Sequence, residues 1–408
     1  GCREKLPIPN AVQGLCDGNI GADPRTLRGG NIPSTFNLGH ILRDRRVAVG
    51  ERSIAIASSS CDSLSGTFSI EEDDARYDAV IVGSGMSGLA AAFFLLRRRP
   101  GSRILIVDGN PSFGGNAGRD DLAPMPVPGS TGAAYAVDPY NETLSELYSA
   151  IGLDTKKHAI PSPHFSYYFD AKTPFIVPGR SGWVADVFGA GIDKLPYAAP
   201  VIADLKRAVA DFREWAEKAG SPTDPADFGD PRYDYLSQMT FHDYLVKEKG
   251  YSEAVSDFYT RYAIDALAGS TKHVAAYPAI SFLQAEGSLF ALPGGNEGVA
   301  RHIVRWLIPS AINGTTTDEI IKSAIRVDQL DSAQHNVRIR QSAMVLRVNT
   351  NEKEASVIYH RGGKFYRSRG SAVIVAGQSH TARHLVERSY PTMYQAFLCN
   401  SGTEANEA

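Results

Sequence analysis

The strongest constraint on this chain is a glycine-rich turn that joins an apolar strand to an apolar helix. It lies in the stretch YDAVIVGSGMSGLAAAFFLLRRRPGSRILIVDGNPSFGG, which runs from Tyr77 to Gly115. The apolar run 79–82 predicts a strand buried on both faces, and residues 86–97 are apolar at helical spacing. A second apolar run follows at 103–107. The stretch therefore predicts the strand–helix–strand opening of a Rossmann-type α/β domain.

The turn itself has the pattern GxGxxG, formed by Gly83, Gly85 and Gly88. In such a turn the first glycine permits the tight bend, the second lets the backbone approach a pyrophosphate, and the third lets the helix pack close to the strand. The helix N-terminus then faces the negative charge. The alternative is that these are ordinary glycines of an α/β turn. We predict a dinucleotide site that includes Gly83, Ser84, Gly85, Ser87 and Gly88.

Asp108 ends the second predicted strand, twenty residues beyond Gly88. A carboxylate at this position accepts hydrogen bonds from the ribose diol of a dinucleotide. The same carboxylate would repel a 2′-phosphate, so the position argues against a phosphorylated nicotinamide ligand. We therefore predict Asp108 as a ribose-binding residue.

A glycine pair, Gly114-Gly115, follows six residues after Asp108. This spacing resembles the FAD motif of glutathione-reductase-type flavoproteins, in particular the flavin amine oxidase superfamily. The resemblance implies FAD as the cofactor and extends its site to Gly109, the glycine pair and Asn116. The sequence departs from the family pattern at two positions. Asp108 stands in place of the commoner Glu, and Asn116 stands where many members have Arg, which puts a charged phosphate contact in doubt.

Two later segments are similar to parts of the same superfamily that approach the flavin ring. The segment 127–135, which contains Gly132 and Ala133, looks like the stretch that passes beside the ring. The sequence ALPGGN at 291–296 is similar to the turn that introduces the later FAD-binding portion. The resemblance implies Gly132 and Ala133 as cofactor-binding residues.

Two strands and the N-terminal region continue the resemblance. The strand 343–348 implies an adenine contact at Val345, and AVIVAG, which contains Ala376, resembles the strand that returns to the Rossmann sheet. Residues 26–40 look like the leader of bacterial spermidine-dehydrogenase-like flavoproteins. The implied activity is oxidation of the C–N bond of a small amine by hydride transfer to FAD. Oxygen or a redox partner would accept the electrons, and a flavin-binding or nucleotide-binding protein without turnover is the alternative.

The fold class predicted for the chain is α/β, with a Rossmann-type FAD-binding domain and an inserted, mostly helical or mixed substrate domain. Apolar positions at helical spacing predict helices at 36–45, 201–219 and 240–250, and alternation predicts strands from about 336 to 377 with a hairpin turn at 361–364. The predicted regions are an N-terminal arm at 1–76, the FAD-binding domain at 77–140 and 291–390, the substrate domain at 141–290 and a tail at 391–408.

No catalytic residue is predicted, because a flavin enzyme needs no obligatory nucleophile or base from the protein. Several polar and aromatic residues of the inserted domain are candidates for lining a pocket because of their location alone: His164, Tyr167, Tyr168, Trp183, His273 and Tyr277. For each of them, a role in the core or on the surface is favoured. Arg261, beside Tyr262, stands four residues before Asp265, a spacing that more often gives a local ion pair than a substrate clamp.

The last twelve residues, FLCNSGTEANEA, match the phosphate-binding segment of class III, PLP-dependent aminotransferases. No Schiff-base lysine follows, and nothing upstream resembles such an enzyme. One alternative is a variant of the closing FAD segment of the spermidine-dehydrogenase group. A junction or truncation is favoured, because the flavoprotein resemblance leads us to expect a longer closing half.

Composition limits the binding partners and the cellular location that can be expected for this protein. The net charge of −3 over 408 residues gives no electrostatic footprint for nucleic acid or an anionic membrane surface. No apolar stretch is long enough for a spanning helix, so a soluble protein is expected, with periplasmic export as an alternative. The cysteines Cys2, Cys16, Cys61 and Cys399 have no metal-ligand spacing, so no metal is predicted. Gly1-Cys2 also resembles a lipoprotein cleavage site, a weaker interpretation than truncation.

Overall fold

The computed structural model describes residues 33–57, 65–120, 128–137, 139, 141–159, 177–179, 182–184, 186–219, 231–264, 267, 269–284, 289–350 and 354–386. These residues form two compact units in the chain. The first unit combines the chain up to residue 158 with the chain from residue 290 onward, and the second unit covers 159–289. The second unit therefore begins later than the predicted insertion at 141, and the functional domain limits stay predictions.

The first unit begins with a helix, three strands, a second helix and a fourth strand. In chain order these are α1 (Pro33–Arg43), β1 (Val47–Val49), β2 (Ser53–Ile56), β3 (Gly66–Val82), α2 (Met86–Arg98), β4 (Ile104–Val107), β5 (Arg119–Asp120), β6 (Gly129–Ser130), β7 (Ala136–Val137) and α3 (Glu142–Ala150).

The described part of the second unit is mostly helical and contains a short hairpin. Its elements are β8 (Val177–Gly179), β9 (Gly182–Val184), α4 (Ala199–Ala219), α5 (Pro231–Ser237), α6 (Phe241–Asp243), a π-helical turn (Tyr244–Glu248), α7 (Glu253–Tyr262) and α8 (Ala276–Gln284). Aromatic side chains fill its core, where the rings of Phe212 and Tyr259 meet edge to face at 5.3 Å.

The chain then completes the first unit with four helices and a long β-meander. The elements are β10 (Leu289–Phe290), α9 (Glu297–Leu307), α10 (Thr317–Lys322), α11 (Val327–Leu330), β11 (Val337–Arg340), β12 (Met344–Thr350), β13 (Ala355–Arg361), β14 (Lys364–Val375) and α12 (Ser379–Ala382).

An eight-stranded sheet organises the first unit. Strands β11, β4, β3 and β14 are parallel neighbours, while β13 and β12 continue the sheet in antiparallel order beyond β14. All four residues of β4 are buried, and they alternate between two cores. Ile104 and Ile106 contact the core that includes α2 and α9, whereas Leu105 and Val107 contact the core that includes α1. Burial on both faces is typical of parallel strands, and the predicted α/β fold is confirmed.

The first strand is longer than its sequence pattern indicated. We predicted an arm up to residue 76, yet β3 begins at Gly66, and β1 and β2 also join the sheet. The acidic run EEDD, residues 71–74, belongs to this strand. In the fold its carboxylates meet arginines of two other strands of the sheet, with Glu72 2.7 Å from Arg367 of β14 and Asp73 2.8 Å from Arg340 of β11. Those partners lie almost three hundred residues away in sequence, so the local pattern could not reveal them.

Other predicted elements differ only in detail. The helix predicted at 36–45 runs from Pro33 to Arg43. The hairpin strand and the returning AVIVAG strand form one continuous strand, β14. The helix predicted at 240–250 contains a π-helical turn, in which the amide of Lys249 donates to the carbonyl of Tyr244 at 3.0 Å.

Candidate dinucleotide-binding site

The GxGxxG turn lies at the carboxyl edge of the parallel strands. The amide of Gly83 donates to the carbonyl of Val107 at 2.8 Å, so the chain turns directly off β3 beside β4. Gly83 has a φ of +105°, which a side chain would strain. A Cβ on this residue would lie 3.0 Å from the carbonyl oxygen of Ala376, which follows β14. The turn is therefore enclosed by backbone on both sides.

Gly88 is the closest point between helix α2 and this turn. A Cβ on Gly88 would lie 1.9 Å from the carbonyl oxygen of Gly83, well inside van der Waals contact. The same Cβ would lie 3.4 Å from the Cβ of Ala376. Gly88 thus allows α2 to sit directly over the turn.

Gly85 joins the first glycine motif to the later glycine pair. The amide of Gly114 donates to the carbonyl of Ser84 at 2.9 Å, and Gly85 and Gly114 form a parallel β-bridge. Gly115 has a φ of +61°, and a Cβ on it would lie 3.0 Å from the Cα of Gly85. A Cβ on Gly85 would meet nothing closer than 3.8 Å. The two motifs therefore form one side-chain-free surface at the N-terminus of α2.

Asp108 holds this surface together through Ser84. One carboxylate oxygen, Oδ2, accepts hydrogen bonds from the amide and the hydroxyl of Ser84, both at 2.6 Å. The other, Oδ1, accepts one hydrogen bond from the amide of Asn110 at 2.8 Å. A carboxylate oxygen has two lone pairs, so Oδ1 retains capacity for a further donor. Asp108 and Ser84 are buried, whereas Ser87 is exposed on the first turn of α2.

The start of β12 lies beside the residue that follows Asp108. The backbone amide of Ala343 donates to the carbonyl of Asp108 at 2.8 Å. A Cβ on Gly109 would lie 3.6 Å from the Cα of Met344 and 3.1 Å from the methyl group of Thr35. Val345 is the next residue of β12 and is buried in the sheet. Its proximity to Gly109 in space follows from this contact and was not apparent from sequence spacing.

A second backbone-rich surface forms where three segments meet. The amide of Ala133 donates to the carbonyl of Asn116 at 3.0 Å, and a Cβ on Gly132 would lie 1.9 Å from that carbonyl oxygen. The ALPGGN turn packs on the same segment, because the amide of Asn296 donates to the carbonyl of Ala133 at 2.9 Å. Gly295, with a φ of +74°, approaches Ser130. Asn116, Gly132 and Ala133 are exposed, so this surface is open.

A buried ion cluster supports this turn, and sequence reasoning missed it. Arg301 donates from Nε to both oxygens of Glu297 at 2.7 Å, one helical turn apart on α9. Arg119 lies 3.6 Å from Glu297 and donates to the carbonyl of Ile321 at 2.5 Å. All three charged side chains are at least 89% buried. The spacing of Glu297 and Arg301 was the available signal, although only the fold adds Arg119.

The described catalytic candidates all belong to the second unit and show ordinary environments. Trp183 is 75% exposed on the β8–β9 hairpin, and Tyr277 packs against the helical core. His273 contacts the hydroxyl of Ser270 at 2.8 Å, while the guanidinium of Arg261 lies 6.0 Å from the ring of Tyr262. The remaining candidates, His164, Tyr167, Tyr168 and Asp265, lie outside the described residues, as does the predicted tail.

Comparison with known proteins identifies the type of fold around the glycine turn. Residues 81–151 match the family model of a NAD(P)-binding Rossmann-like domain. The fold at the glycine turn is Rossmann-like. A stretch of 48 residues is 46% identical to an FAD-dependent monooxygenase of Pyrenophora dematioidea, covering 12% of this chain and 9% of that protein.

Solved structures extend the likeness to most of the chain. A putrescine oxidase bound to putrescine aligns with a TM-score of 0.51 and 19% identity, over 79% of this chain and 63% of that one. The cyclohexylamine oxidase of Brevibacterium oxydans IH-35A aligns with a TM-score of 0.51 and 18% identity, over 79% of this chain and 62% of that one. At these identities the likeness concerns the fold. The chain spans less than two thirds of the length of these oxidases.

Two further observations concern the parts of the chain that the structure describes. None of the helices there is long and apolar enough to cross a membrane. The same residues contain no group of three or more His, Cys, Asp or Glu side chains that could hold a metal ion. All four cysteines lie outside the described ranges, so the predicted absence of a metal stays a prediction.

Proposed function

We propose that this chain is an FAD-dependent oxidoreductase that oxidises the C–N bond of a small amine. The observation that carries the proposal is the contact between Gly85 and the pair Gly114-Gly115. A dinucleotide turn alone would suit NAD as well as FAD. The second glycine pair enlarges the same backbone surface at the N-terminus of α2, and its spacing after Asp108 is the one that resembles the FAD motif. The FAD-dependent monooxygenase relative supports the same cofactor.

The residues of this surface fit a dinucleotide. Helix N-terminal amides lack intrahelical acceptors and carry partial positive charge, so the N-terminus of α2 suits a pyrophosphate. The lack of any near contact for a Cβ on Gly85 leaves room for phosphate oxygens. We assign the pyrophosphate to the turn and the glycine pair, that is Gly83, Ser84, Gly85, Ser87, Gly88, Gly114, Gly115, Asn116 and Ala376.

The remaining assignments follow the two ends of the ligand. We assign the ribose to Asp108, through the free capacity of Oδ1, and to Gly109. Val345, which follows Met344, the β12 residue next to Gly109, is assigned to the adenine. The open surface at Gly132 and Ala133 is assigned to the isoalloxazine ring. Asn116 carries no charge, so in this proposal the helix N-terminus supplies the main electrostatic attraction for the phosphates.

When bound, the flavin supplies the hydride acceptor. The protein binds and orients it through backbone amides, and the turn at Gly295 and Asn296 keeps the 128–135 segment in place. Amine substrates are supported by the likeness to the putrescine and cyclohexylamine oxidases and by the spermidine-dehydrogenase-like features of the sequence. Oxygen or a redox partner would reoxidise the flavin.

The test is reconstitution followed by anaerobic reduction. Purified protein is titrated with FAD and, separately, with NAD, and tight noncovalent binding of FAD with a two-band flavin spectrum is expected. Putrescine, spermidine and cyclohexylamine are then added without oxygen, and bleaching of the flavin bands is expected for at least one of them. Bleaching by a reduced nicotinamide but by none of the amines would overturn the amine assignment and leave the flavin site standing.

The same preparation tests the alternatives. Flavin binding without reduction by any donor would indicate a nucleotide-binding protein without turnover. The tail resemblance predicts a PLP aminotransferase fragment instead, and borohydride would then trap a pyridoxyl-lysine in a flavin-free preparation. We expect no such adduct, because PLP needs a covalent lysine as well as a phosphate-binding segment.

A further inference from the structure

A second concave site lies in the first unit, on the face of the meander that β1 and β2 border. Its volume is about 360 Å³, within the range of small-ligand sites. The β1–β2 turn at Gly50 forms one wall, and Arg347, Asn349, Arg367 and Arg369 of the meander form the floor.

Arg347 is an arginine of this pocket with no ion-pair partner among the described residues. Its Nε atom is buried and has no hydrogen-bond acceptor among the described residues. No carboxylate of the described residues lies within ion-pair distance of its guanidinium, which lines the pocket. A buried donor without an acceptor is costly, and Arg347, which has no carboxylate partner among the described residues, also lines the pocket and can donate to an acceptor bound there.

The neighbouring arginines are paired, which makes Arg347 distinct. Arg367 donates to Glu72 at 2.7 Å, and Arg369 donates to Glu72 at 3.1 Å. Arg369 also contacts Glu354, which lies 3.0 Å from Arg76. The paired network of three arginines and two glutamates is fixed in geometry, and Arg347 adds a further cation.

The charge of the pocket favours an anion. Among the described residues, its lining contains three arginines against Glu51 and Glu354, a net charge of +1. Two of those arginines are held in place by Glu72, and Arg367 is almost fully buried. Guanidinium groups bind carboxylate and phosphate oxygens in a two-pronged geometry, and a preorganised group loses less freedom on binding. The pocket is suited to a small oxyanion.

The residues that line the pocket differ from those assigned to FAD. Arg367 pairs across the sheet with Glu72, which lies ten residues before Val82 at the carboxyl end of β3. Arg347 stands two residues after Val345 on β12, so the pocket begins close to the residue that we assign to the adenine. None of the lining residues is itself assigned to FAD.

We propose that this pocket binds a small organic or inorganic oxyanion, a carboxylate or a phosphate, with Arg347 as its principal ligand. Asn349 and the network of Arg367 and Arg369 complete the site. The oxyanion receives hydrogen bonds from the guanidinium of Arg347 and balances the net positive charge of the lining.

Binding is tested on the full chain with inorganic phosphate, malonate and glycerol phosphate as probes, each titrated calorimetrically at constant ionic strength with chloride as the reference anion. The preferred probe distinguishes a phosphate source from a carboxylate source. Arg347→Gln should weaken binding by about tenfold or more, the value of one charge-assisted contact. Arg97→Gln, which removes a surface arginine of α2, should leave binding unchanged. Binding unaffected by Arg347→Gln, or absent for every probe in the parent, would overturn the proposal.

A measurement on the parent protein covers the case in which Arg347→Gln fails to fold. Phenylglyoxal modifies accessible guanidinium groups, and peptide mass spectrometry reports modification residue by residue. We expect the preferred oxyanion to protect Arg347 and not Arg97. Equal modification of Arg347 with and without that probe would refute the assignment.

Discussion

Replacing Gly85 by Ala should weaken FAD binding and leave the fold intact, whereas replacing Gly88 by Ala should damage the fold itself. Both residues belong to one short turn, and both changes add one methyl group. Their surroundings differ. A Cβ on Gly85 would have no neighbour within 3.8 Å, while a Cβ on Gly88 would lie 1.9 Å from the carbonyl oxygen of Gly83.

The magnitudes follow from these distances. Gly85 has φ −68° and ψ 179°, which alanine adopts without strain, so the entropic gain of about 0.4–1 kcal/mol offsets the loss of a favourable N-cap residue. We expect the free energy of unfolding of Gly85→Ala to stay within about 1 kcal/mol of the parent. Gly88→Ala must move helix α2 or the turn by about 1 Å, and overpacking of this kind costs about 1–3 kcal/mol or more.

Gly85→Ala should leave the stability almost unchanged but weaken the binding of FAD. The methyl group would occupy the space where we assign phosphate oxygens to helix amides, so the Kd for FAD should rise about tenfold or more, equivalent to about 1.4 kcal/mol. The assay pairs urea unfolding of the flavin-free proteins with FAD titration followed by flavin fluorescence. Parent-like FAD affinity in a folded Gly85→Ala protein would refute the phosphate assignment. Parent-like stability of Gly88→Ala would refute the packing argument.

Two further predictions concern a buried histidine and a buried arginine of the first unit. Burial lowers the pKa of His302, whose Nδ1 contacts the carbonyl of Ile151 and whose Nε2 has no partner among the described residues. Below about pH 6.5 the unfolded chain therefore binds a proton that the folded chain does not. The free energy of unfolding should therefore decrease as the pH falls through this region. In His302→Asn, which retains a side-chain donor, the free energy of unfolding measured with urea should depend less on pH between pH 7 and pH 5. The same pH dependence in this variant as in the parent would contradict the prediction. Arg340→Met should destabilise the protein by about 1–3 kcal/mol in urea unfolding, because it leaves the partly buried carboxylates of Asp73 and Asp331 without their shared cation, while Asp331 keeps Arg338 and Arg361. A loss below about 1 kcal/mol would mean that the remaining partners suffice.

The sequence by itself determined the opening of the Rossmann-like unit. The apolar runs of β3 and β4, the helix between them and the glycines at 83, 85 and 88 are local features, decided by backbone sterics and by which faces are buried. The hairpin turn between β13 and β14 was predictable for the same reason, since glycines at 362 and 363 both adopt positive φ. Such features depend on residues close together in the chain.

The tertiary structure decided which distant residues these elements contact. The acidic run of β3 became strand because arginines of β11 and β14 neutralise it, and Gly114-Gly115 became part of the turn through contact with Gly85. The cluster of Arg119, Glu297 and Arg301 and the pocket of Arg347 likewise join segments far apart in sequence. The local spacing of charged residues and backbone donors does not show which distant residues they will contact. Their pairing arises only when the cooperative burial of the sheet offsets the entropy of closing long loops.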